Sequence, residues 1–320
     1  MKKDRDWKEY NRRLVSRGEI TLYVEPAILS QGDELKRMNR RKVGRRFQYG
    51  NGLIFASFAL KCFLRLAYRQ TEGLFRNITK RLDLEKIPNF RTIWDRITAM
   101  EKEDIKFNIT PLKPGEKIEI AIDSTGLKRI NDGEYRSTKY GKAKGWIKMH
   151  LSVNVKTGEA LTEVTTTDRV HDNLEFTRLV KPIEKNLSQI DADGAYDSVR
   201  SFEWGKEHDV VCAIPVRITS NRHRTTGARK EAIIEQFGLP RGNKSHAHTY
   251  YQNNTEKKRR RRQKKWRKKI NLGKRWMIEG GYGKFKGMFG ESVFSKKWKM
   301  IEKEIHAKLY VYNRTIVETD

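Results

Sequence analysis

Hydrophobic and polar residues follow two different periods along this chain, and the change falls near residue 112. Residues 1 to about 50 are polar and irregular, apart from a candidate strand at Ile20 to Val24 before Pro26. From 51 to about 110 the spacing is helical. Leu53, Ile54, Phe58, Leu60, Phe63, Leu64 and Ala67 fit a buried helix. Leu74, Phe75, Ile78 and Leu82 stripe a second helix over about 70–84. Pro88 and Asn89 open a third, with Ile93, Trp94, Ile97 and Met100 as its apolar stripe. Three short helices, the last offering Arg91, Thr92 and Arg96, resemble a helix-turn-helix arrangement. They fit a simple packing unit equally well.

After the break at Pro111 to Gly115 the period falls to two. Ile118, Ile120 and Ile122 alternate with Glu119, Ala121 and Asp123, which predicts a strand over 117–123 that breaks into Ser124, Thr125 and Gly126. Further strands are expected at 145–155 and 160–166, joined by a turn at Lys156-Thr157-Gly158-Glu159. A helix over about 173–185 with Asn173 as its cap follows, then a strand at 188–192, a helix at 197–208 and a strand at 210–216. The order β-β-β-α-β-α-β is that of the ribonuclease H-like fold. The expected class is therefore α/β, a mixed sheet flanked by helices, with an N-terminal helical domain. The boundaries are 1–112 for the basic, helical part and 113–320 for the α/β domain.

From 217 to about 270 the periodic pattern dissolves. This segment holds a short apolar stretch at 232–239, His246 and His248, and then KKRRRRQKKWRKK, with eleven basic residues in thirteen. Blocks of like charge repel and commonly form mobile loops. With Trp266 interleaved, the block also suits phosphate neutralisation plus stacking on a base. Beyond it, Trp276, Ile278, Tyr282 and Phe285 mark one helix, and Met300, Ile301, Ile305, Leu309 and Val311 another. No internal repeat is visible.

Charge sharpens the picture. The chain has 69 Lys and Arg against 40 Asp and Glu, a net charge of +29, on 37% hydrophobic residues. A folded chain so basic points to a polyanionic partner, with nucleic acid ahead of a membrane surface. The run from Lys36 to Arg46, seven basic residues in eleven, reads as a solvated linker or a DNA-backbone contact. Two distant cysteines, Cys62 and Cys212, exclude a disulfide framework and a cysteine-rich zinc site, and both suit a core. The N-terminus lacks the apolar region of a secretory signal, and the longest apolar run, 53–60, is too short to span a bilayer. A reducing cytoplasmic setting, associated with the nucleoid, is expected.

Three carboxylates stand out. Asp123 ends the first predicted strand, Asp193 follows the fourth, and Glu279 lies in the helix KRWMIEGGYGKFKG. In a ribonuclease H-like sheet the first and fourth strands lie side by side, so two aspartates meet and a helix across the sheet can deliver the third carboxylate. Such an oxygen set suits Mg²⁺, or Mn²⁺, as two ions for in-line phosphoryl displacement. At about 100° per residue, Arg275, Glu279 and Lys286 share one helix face. The plainer reading is an ordinary Arg275–Glu279 surface pair. Of the competing aspartates, Asp191 is expected to face solvent and Asp197 to cap the next helix. His150 fits either a place near the site or a satisfied core histidine. His171 and Asp172 fall in the turn before the helix. The glycines at 281, 283 and 287 do not make a nucleotide cradle, since no suitable strand precedes them.

IDSTGLK around Asp123, DGAYDS around Asp193 and RWMIE around Glu279 resemble the three blocks of the insertion-sequence DDE transposases. EYNRRLVSRGEITLYV, RQTEGLFRNI, KYGKAKGWIKMHLSV and EVTTTDRVHDN resemble the same bacterial and archaeal group, in the same order. The group has a Tyr-x₂-Arg-x₃-Glu-x₆-Lys signature; Arg275, Glu279 and Lys286 match it, but Leu272 stands at the tyrosine position. Gly280 and Gly281 also weaken the helix or let DNA come close. The resemblance implies Asp123, Asp193 and Glu279 as catalytic and metal-holding residues. It implies contacts to phosphates by Arg275, Lys286, Lys139, Lys142, Lys144 and Lys148, beside Arg91, Arg96 and Trp266. The expected partner is double-stranded DNA, as transposon ends and target, engaged by a homodimer or larger assembly without a membrane. The expected activity is cleavage at terminal inverted repeats and strand transfer. Two rivals stand beside it: a catalytically inactive DNA-binding derivative and a structure-selective nuclease on the same fold.

Overall fold

The computed structural model describes residues 6–16, 18–19, 23–82, 86–107, 110–130, 145–238 and 256–317. It divides into two compact units. One comprises 1–111, 128–144 and 284–320, and the other 112–127 and 145–283. A single cut at 112 therefore does not separate them, because the C-terminal helical segment belongs with the N-terminal helices.

In chain order the described helices of the first 111 residues are α1 (Trp7–Ser16), α2 (Glu25–Leu29), α3 (Gln31–Asn39), α4 (Asn51–Phe63), α5 (Tyr68–Leu82) and α6 (Phe90–Ala99). Residues 20–22 of the expected first strand lie outside the described residues. Tyr23 and Val24 form a helical turn leading into α2, whose Pro26 suits the first turn of a helix. The next unit opens with β1 (Ile118–Arg129), β2 (Trp146–Asn154) and β3 (Ala160–Thr167). These are followed by α7 (Asp172–Val180), β4 (Leu187–Asp191), α8 (Val199–Glu207), β5 (Val211–Ala213), α9 (Gly227–Phe237) and α10 (Glu256–Lys269). Last come α11 (Trp276–Phe289), β6 (Ser292–Val293) and α12 (Trp298–Val317). Among the described residues no single helix is long and apolar enough to cross a membrane.

The sheet has the order β3-β2-β1-β4-β5. β2 and β3 are antiparallel, while β1–β4 and β4–β5 are parallel, so the sheet is mixed as expected. Gly158 takes a positive φ of 79° in the β2–β3 turn, a conformation that favours glycine. The alternation along β1 separates two faces. Ile118, Ile120 and Ile122 enter a core with Ile190, Phe176, Leu179, Trp204 and Phe237. The other face is covered by a smaller cluster of Ala213, Trp266 and Leu272. Apolar residues thus pack on both faces of the parallel strands, as is usual in α/β sheets.

Several local expectations change. β1 does not break at Ser124; it runs on to Arg129, because its end pairs with β6 at Lys128 and Arg129. Asp123 is therefore a mid-strand residue. Asn173 does not cap α7: His171 holds the cap position, and the segment after Val180 tightens into a 3₁₀ turn over Lys181–Asn186. Asp197 does not cap α8 either. Ser198 does, accepting from the Ser201 N–H. Asp197 is instead buried in a bidentate pair with Arg229, at 2.7 and 2.9 Å, and accepts the Arg217 N–H at 3.0 Å.

Among its described residues the patternless stretch after 217 contains two helices. α9 takes in residues 232–237 of the short apolar segment, and the basic block forms α10. Residues 239–255, including His246 and His248, lie outside the described residues.

In the other unit α4 is buried almost all round, since an apolar helix of this kind needs neighbours on every side. α12 is tied to the same unit by polar contacts. Lys303 Nζ donates to the carbonyls of Ile97 and Thr98 at the end of α6, at 2.9 and 3.1 Å. Lysine at a helix C-terminus satisfies carbonyls that have no intrahelical partner. Asn313 donates to the Phe107 carbonyl at 3.0 Å. Cys62 is buried, whereas Cys212 is half-buried, and both are free thiols.

Removing one partner of a buried bidentate pair strands the other charge. Asp197→Ala is therefore expected to cost roughly 3–5 kcal/mol of stability. Urea unfolding of the variant beside the parent chain measures this; a loss under about 1 kcal/mol would show that Arg229 finds solvent instead.

Candidate active site

Asp123 shares a face of β1 with Glu119, and the parallel register sets Gln189 and Asp191 of β4 beside that face. A strand that is isoleucine on one side and acidic on the other produces this with no further instruction. Gln189 Nε2 donates to Glu119 Oε1 at 3.0 Å and to Asp191 Oδ1 at 2.7 Å, and it also reaches the Ile270 carbonyl at 3.2 Å. Lys274 pairs with Glu119. Asp191 is wholly buried, against the expectation that it faces solvent, because the Leu272–Arg275 turn and Trp266 cover this part of the sheet. Burial raises its pKa, and the neighbouring Glu119 adds to the rise.

Around Asp123 the carboxylates crowd. Its side chain is 20% exposed and accepts the Ser124 N–H at 2.8 Å. Burial pushes its pKa up to about 6. The Ser124 N–H and the Arg275 guanidinium oppose that rise, and Asp193 and Asp172 add to it. Asp193 is half-buried and accepts the Ala195 N–H at 2.8 Å, which caps a short 3₁₀ turn. Asp172, the first residue of α7, is the functional candidate that pattern reasoning placed only in a turn. Its Oδ1 accepts from Lys148 Nζ at 2.8 Å and from Ser124 Oγ at 3.1 Å. His150 is fully buried, with Nε2 at 2.8 Å from Thr166 Oγ1 and Nδ1 at 3.6 Å from Asp172, and burial lowers its pKa. A carboxylate two residues after Val170, opposite a lysine on an adjacent strand, was the available signal. The sequence does not reveal that α7 begins over β2.

Glu279 is on the first turn of α11 and is mostly exposed, with its side chain 55% accessible. Arg275 reaches both carboxylates: it lies 3.3 Å from Asp123 Oδ2 and is hydrogen-bonded to Glu279. α11 is held to β1 at the same place, because the buried Tyr282 hydroxyl donates to the Asp123 carbonyl at 2.7 Å. Neither Arg275 as a bridge nor Tyr282 as a tether could be read from one helix alone.

The donor set suits a hard divalent cation, since every near ligand is a carboxylate oxygen. The Tyr196 hydroxyl and His150 Nδ1 are buried without a hydrogen-bond partner among the described residues. Asp172, Asp123 and Asp193 all lie near enough to raise the Tyr196 pKa further above what burial does. Orphaned polar atoms beside crowded carboxylates fit a place for a cation and its waters. Among the described residues, however, no three His, Cys, Asp or Glu side chains converge as a metal cluster. Asp123 and Asp193 share one field, while Glu279 is drawn to Arg275.

The expected DNA contacts fare differently. Lys139, Lys142 and Lys144 lie outside the described residues. Lys148 is engaged with Asp172 and the Val170 carbonyl, so its charge is used inside the fold. Lys286 sits near Glu291 at 3.6 Å. Arg91 is exposed, pairs with Asp95 and lies over the Trp94 ring. Arg96 is half-buried against the Phe47 ring and donates to the Tyr49 carbonyl and Asn51, so it braces the entry to α4 rather than offering a phosphate contact. Trp266 is only 6% exposed and cannot stack on a base; Trp276, expected in the apolar stripe, is 63% exposed. The physical reason is phase. Trp266 falls on the one face by which α10 packs, and Trp276 starts α11 on its open side.

Two family models, each described as a transposase DDE domain, match this chain, one over residues 114–314 and the other over 15–132. A cryo-EM structure of a piggyBac transposase synaptic complex with hairpin DNA resembles it at 11% identity and a TM-score of 0.39. That match covers 93% of this chain and 73% of the other. The likeness is too distant to bear on the site.

A buried carboxyl whose pKa is raised binds its proton more tightly folded than unfolded. Stability then falls as pH rises from about 4 through about 6, and stays lower above that range. Asp123→Asn removes this cost. Its gain over the parent chain is expected to be small at pH 4 and on the order of 3 kcal/mol at pH 8. Thermal unfolding at both pH values, without divalent ions, measures the difference; a gain independent of pH would contradict the burial assigned to Asp123.

Proposed function

The chain belongs to the transposase DDE-domain family, and on that premise we propose that it binds the terminal inverted repeats of an insertion sequence and catalyses strand cleavage and strand transfer there. The family in general carries out metal-dependent DNA phosphoryl transfer. The observation that supports the reading most is Asp123, a mid-strand carboxyl raised by burial and crowded by Asp193 and Asp172, with α11 tethered to its carbonyl. A fold that only needed stability would place an apolar residue there.

Asp123, Asp193 and Glu279 would hold the divalent ions, Mg²⁺ or Mn²⁺ and two in number. When bound, these activate a water or 3′ hydroxyl and stabilise the leaving oxygen. The chain's own residues supply position and charge. Arg275 bridges Asp123 and Glu279, and it can turn a planar fork of donors toward a phosphate. Release of Glu279 from Arg275 is then part of assembling the site. Lys148 and Ser124 hold Asp172, which keeps a second negative charge near Asp123. Lys286 would contact a phosphate, and Trp276 is an exposed aromatic suited to a base. A β-carbon at Gly280 would meet only ordinary contact with the Trp276 ring, at 3.8 Å, and one at Gly283 would meet nothing within 4 Å. Packing inside the chain does not demand these glycines, which supports close approach by DNA. The basic segments of 1–112, with Arg91 exposed, would add backbone contacts, and a homodimer or larger assembly would bring two ends together.

Asp123→Asn is expected to abolish cleavage of labelled inverted-repeat duplex in Mg²⁺ or Mn²⁺, by at least about a thousandfold if metal-assisted chemistry is lost. Binding of the same duplex should persist. Full cleavage by this variant would remove Asp123 from the site. Binding without any cleavage by the parent chain would identify an inactive derivative, and cleavage without joined products would identify a nuclease.

A further inference from the structure

α10 is built in a way that the catalytic reading does not use. Eleven of its residues from 257 to 269 are Lys or Arg. Its one acid, Glu256, pairs with Arg260. Lys257, Arg261, Lys265 and Lys269 form one i, i+4 row of like charge, a spacing at which cations repel. Such a sequence has little reason to be helical in water, and its pattern predicts a loop. The helix is held from one side. Arg259, Gln263 and Trp266, at i, i+4 and i+7, are its buried residues. Arg259 donates to the carbonyls of Ile218 and Ser220 and lies 4.3 Å from the Phe237 ring centre. Gln263 donates to the Val216 carbonyl at 2.7 Å and to Gln236 at 3.1 Å. Trp266 packs on Ala213 and Leu272.

This anchoring sorts the helix by chemistry. The two side chains best suited to reading or stacking on bases, Gln263 and Trp266, are turned inward and used. The exposed side holds cations and Glu256, with no apolar side chain, so it has nothing to insert into a lipid surface. A helix about 21 Å long with an almost wholly cationic exposed side spans about six phosphates of one strand of a duplex.

We propose that α10 is a docking surface for the phosphate backbone of duplex DNA that acts independently of base sequence. This rests on the transposase reading for its partner, but it assigns the helix to holding any duplex, such as flanking or target DNA, rather than to recognising the repeats.

The test is equilibrium binding of the full chain in EDTA, so that no strand is cut, to two duplexes of equal length. One carries the terminal repeat found beside the gene, and the other is scrambled. The variant combines Lys257→Gln, Arg261→Gln, Lys264→Gln and Lys268→Gln, which leave the three anchors intact. A control removes four exposed charges elsewhere in the same unit, with Lys156→Gln, Lys181→Gln, Lys185→Gln and Lys230→Gln.

For the α10 variant, the slope of log affinity against log salt is expected to fall by about 3–4, at about 0.9 for each phosphate no longer neutralised. Affinity for the scrambled duplex should drop on the order of a hundredfold at 0.1 M salt. The preference for the repeat over the scrambled duplex should be kept or increased, the control should bind as the parent does, and thermal unfolding should show no loss of stability.

An unchanged slope overturns the proposal, as does an equal loss in the control, which would make net charge the cause. So does selective loss of binding to anionic phospholipid vesicles with DNA binding intact. Failure of the parent chain to bind either duplex would overturn the transposase reading and this proposal together. Repeat binding intact with the α10 variant unchanged would overturn only this one.

Discussion

A carboxyl group in the middle of a buried strand is the constraint on which the α/β unit turns. Asp123 gains nothing for the fold from its position: burial raises its pKa to about 6, and Asp172 and Asp193 press it further. What makes the position tolerable is compensation from several directions. Arg275 lies against the carboxyl, the Ser124 N–H donates to it, and Lys148 balances Asp172. Carboxylates crowded at one place need compensating cations and donors, and the surrounding fold supplies them.

The same need explains how the neighbouring elements are fastened. α11 begins where the Lys274–Glu119 pair fixes the preceding turn to β1, and Tyr282 binds the helix to the Asp123 carbonyl further along the same strand. Glu279 is thus presented by a helix tethered on both sides, while its own side chain remains exposed and paired with Arg275. The helix is fixed to the strand while the carboxylate it carries faces outward. Gln189 carries the tie further, linking Glu119, Asp191 and the Ile270 carbonyl ahead of that turn.

Asp191 and Asp197 illustrate how acids of similar appearance acquire different tasks. Both lie within a few residues of Asp193, and all three are acidic residues near the end of one strand. Asp191 is sealed under the Leu272–Arg275 turn, and Asp197 is locked to Arg229. Only Asp193 remains half-buried at the open end, next to the turn that its side chain caps. Burial and available partners, rather than residue type, separate structural aspartates from a ligand candidate.

The order of strands, the isoleucine face of β1, the Gly158 turn and the helical stripes of α4 and α12 were legible in the sequence, because period and turn chemistry are local properties. The motifs around Asp123, Asp193 and Glu279 mark these three as candidates in the same way. The sequence did not disclose the continuation of β1 past Ser124, which depends on pairing with residues 292 and 293, far along the chain. It did not disclose Asp172 as a neighbour of Asp123, or the grouping of 284–320 with the N-terminal helices. Nor did it disclose that Trp266 is buried and Trp276 exposed. These follow from which faces meet, and a single segment carries no information about the face that will cover it. The basic block shows the point most plainly. Its sequence repels itself, and its helix packs by one face on a surface that includes Val216, Gln236 and Phe237.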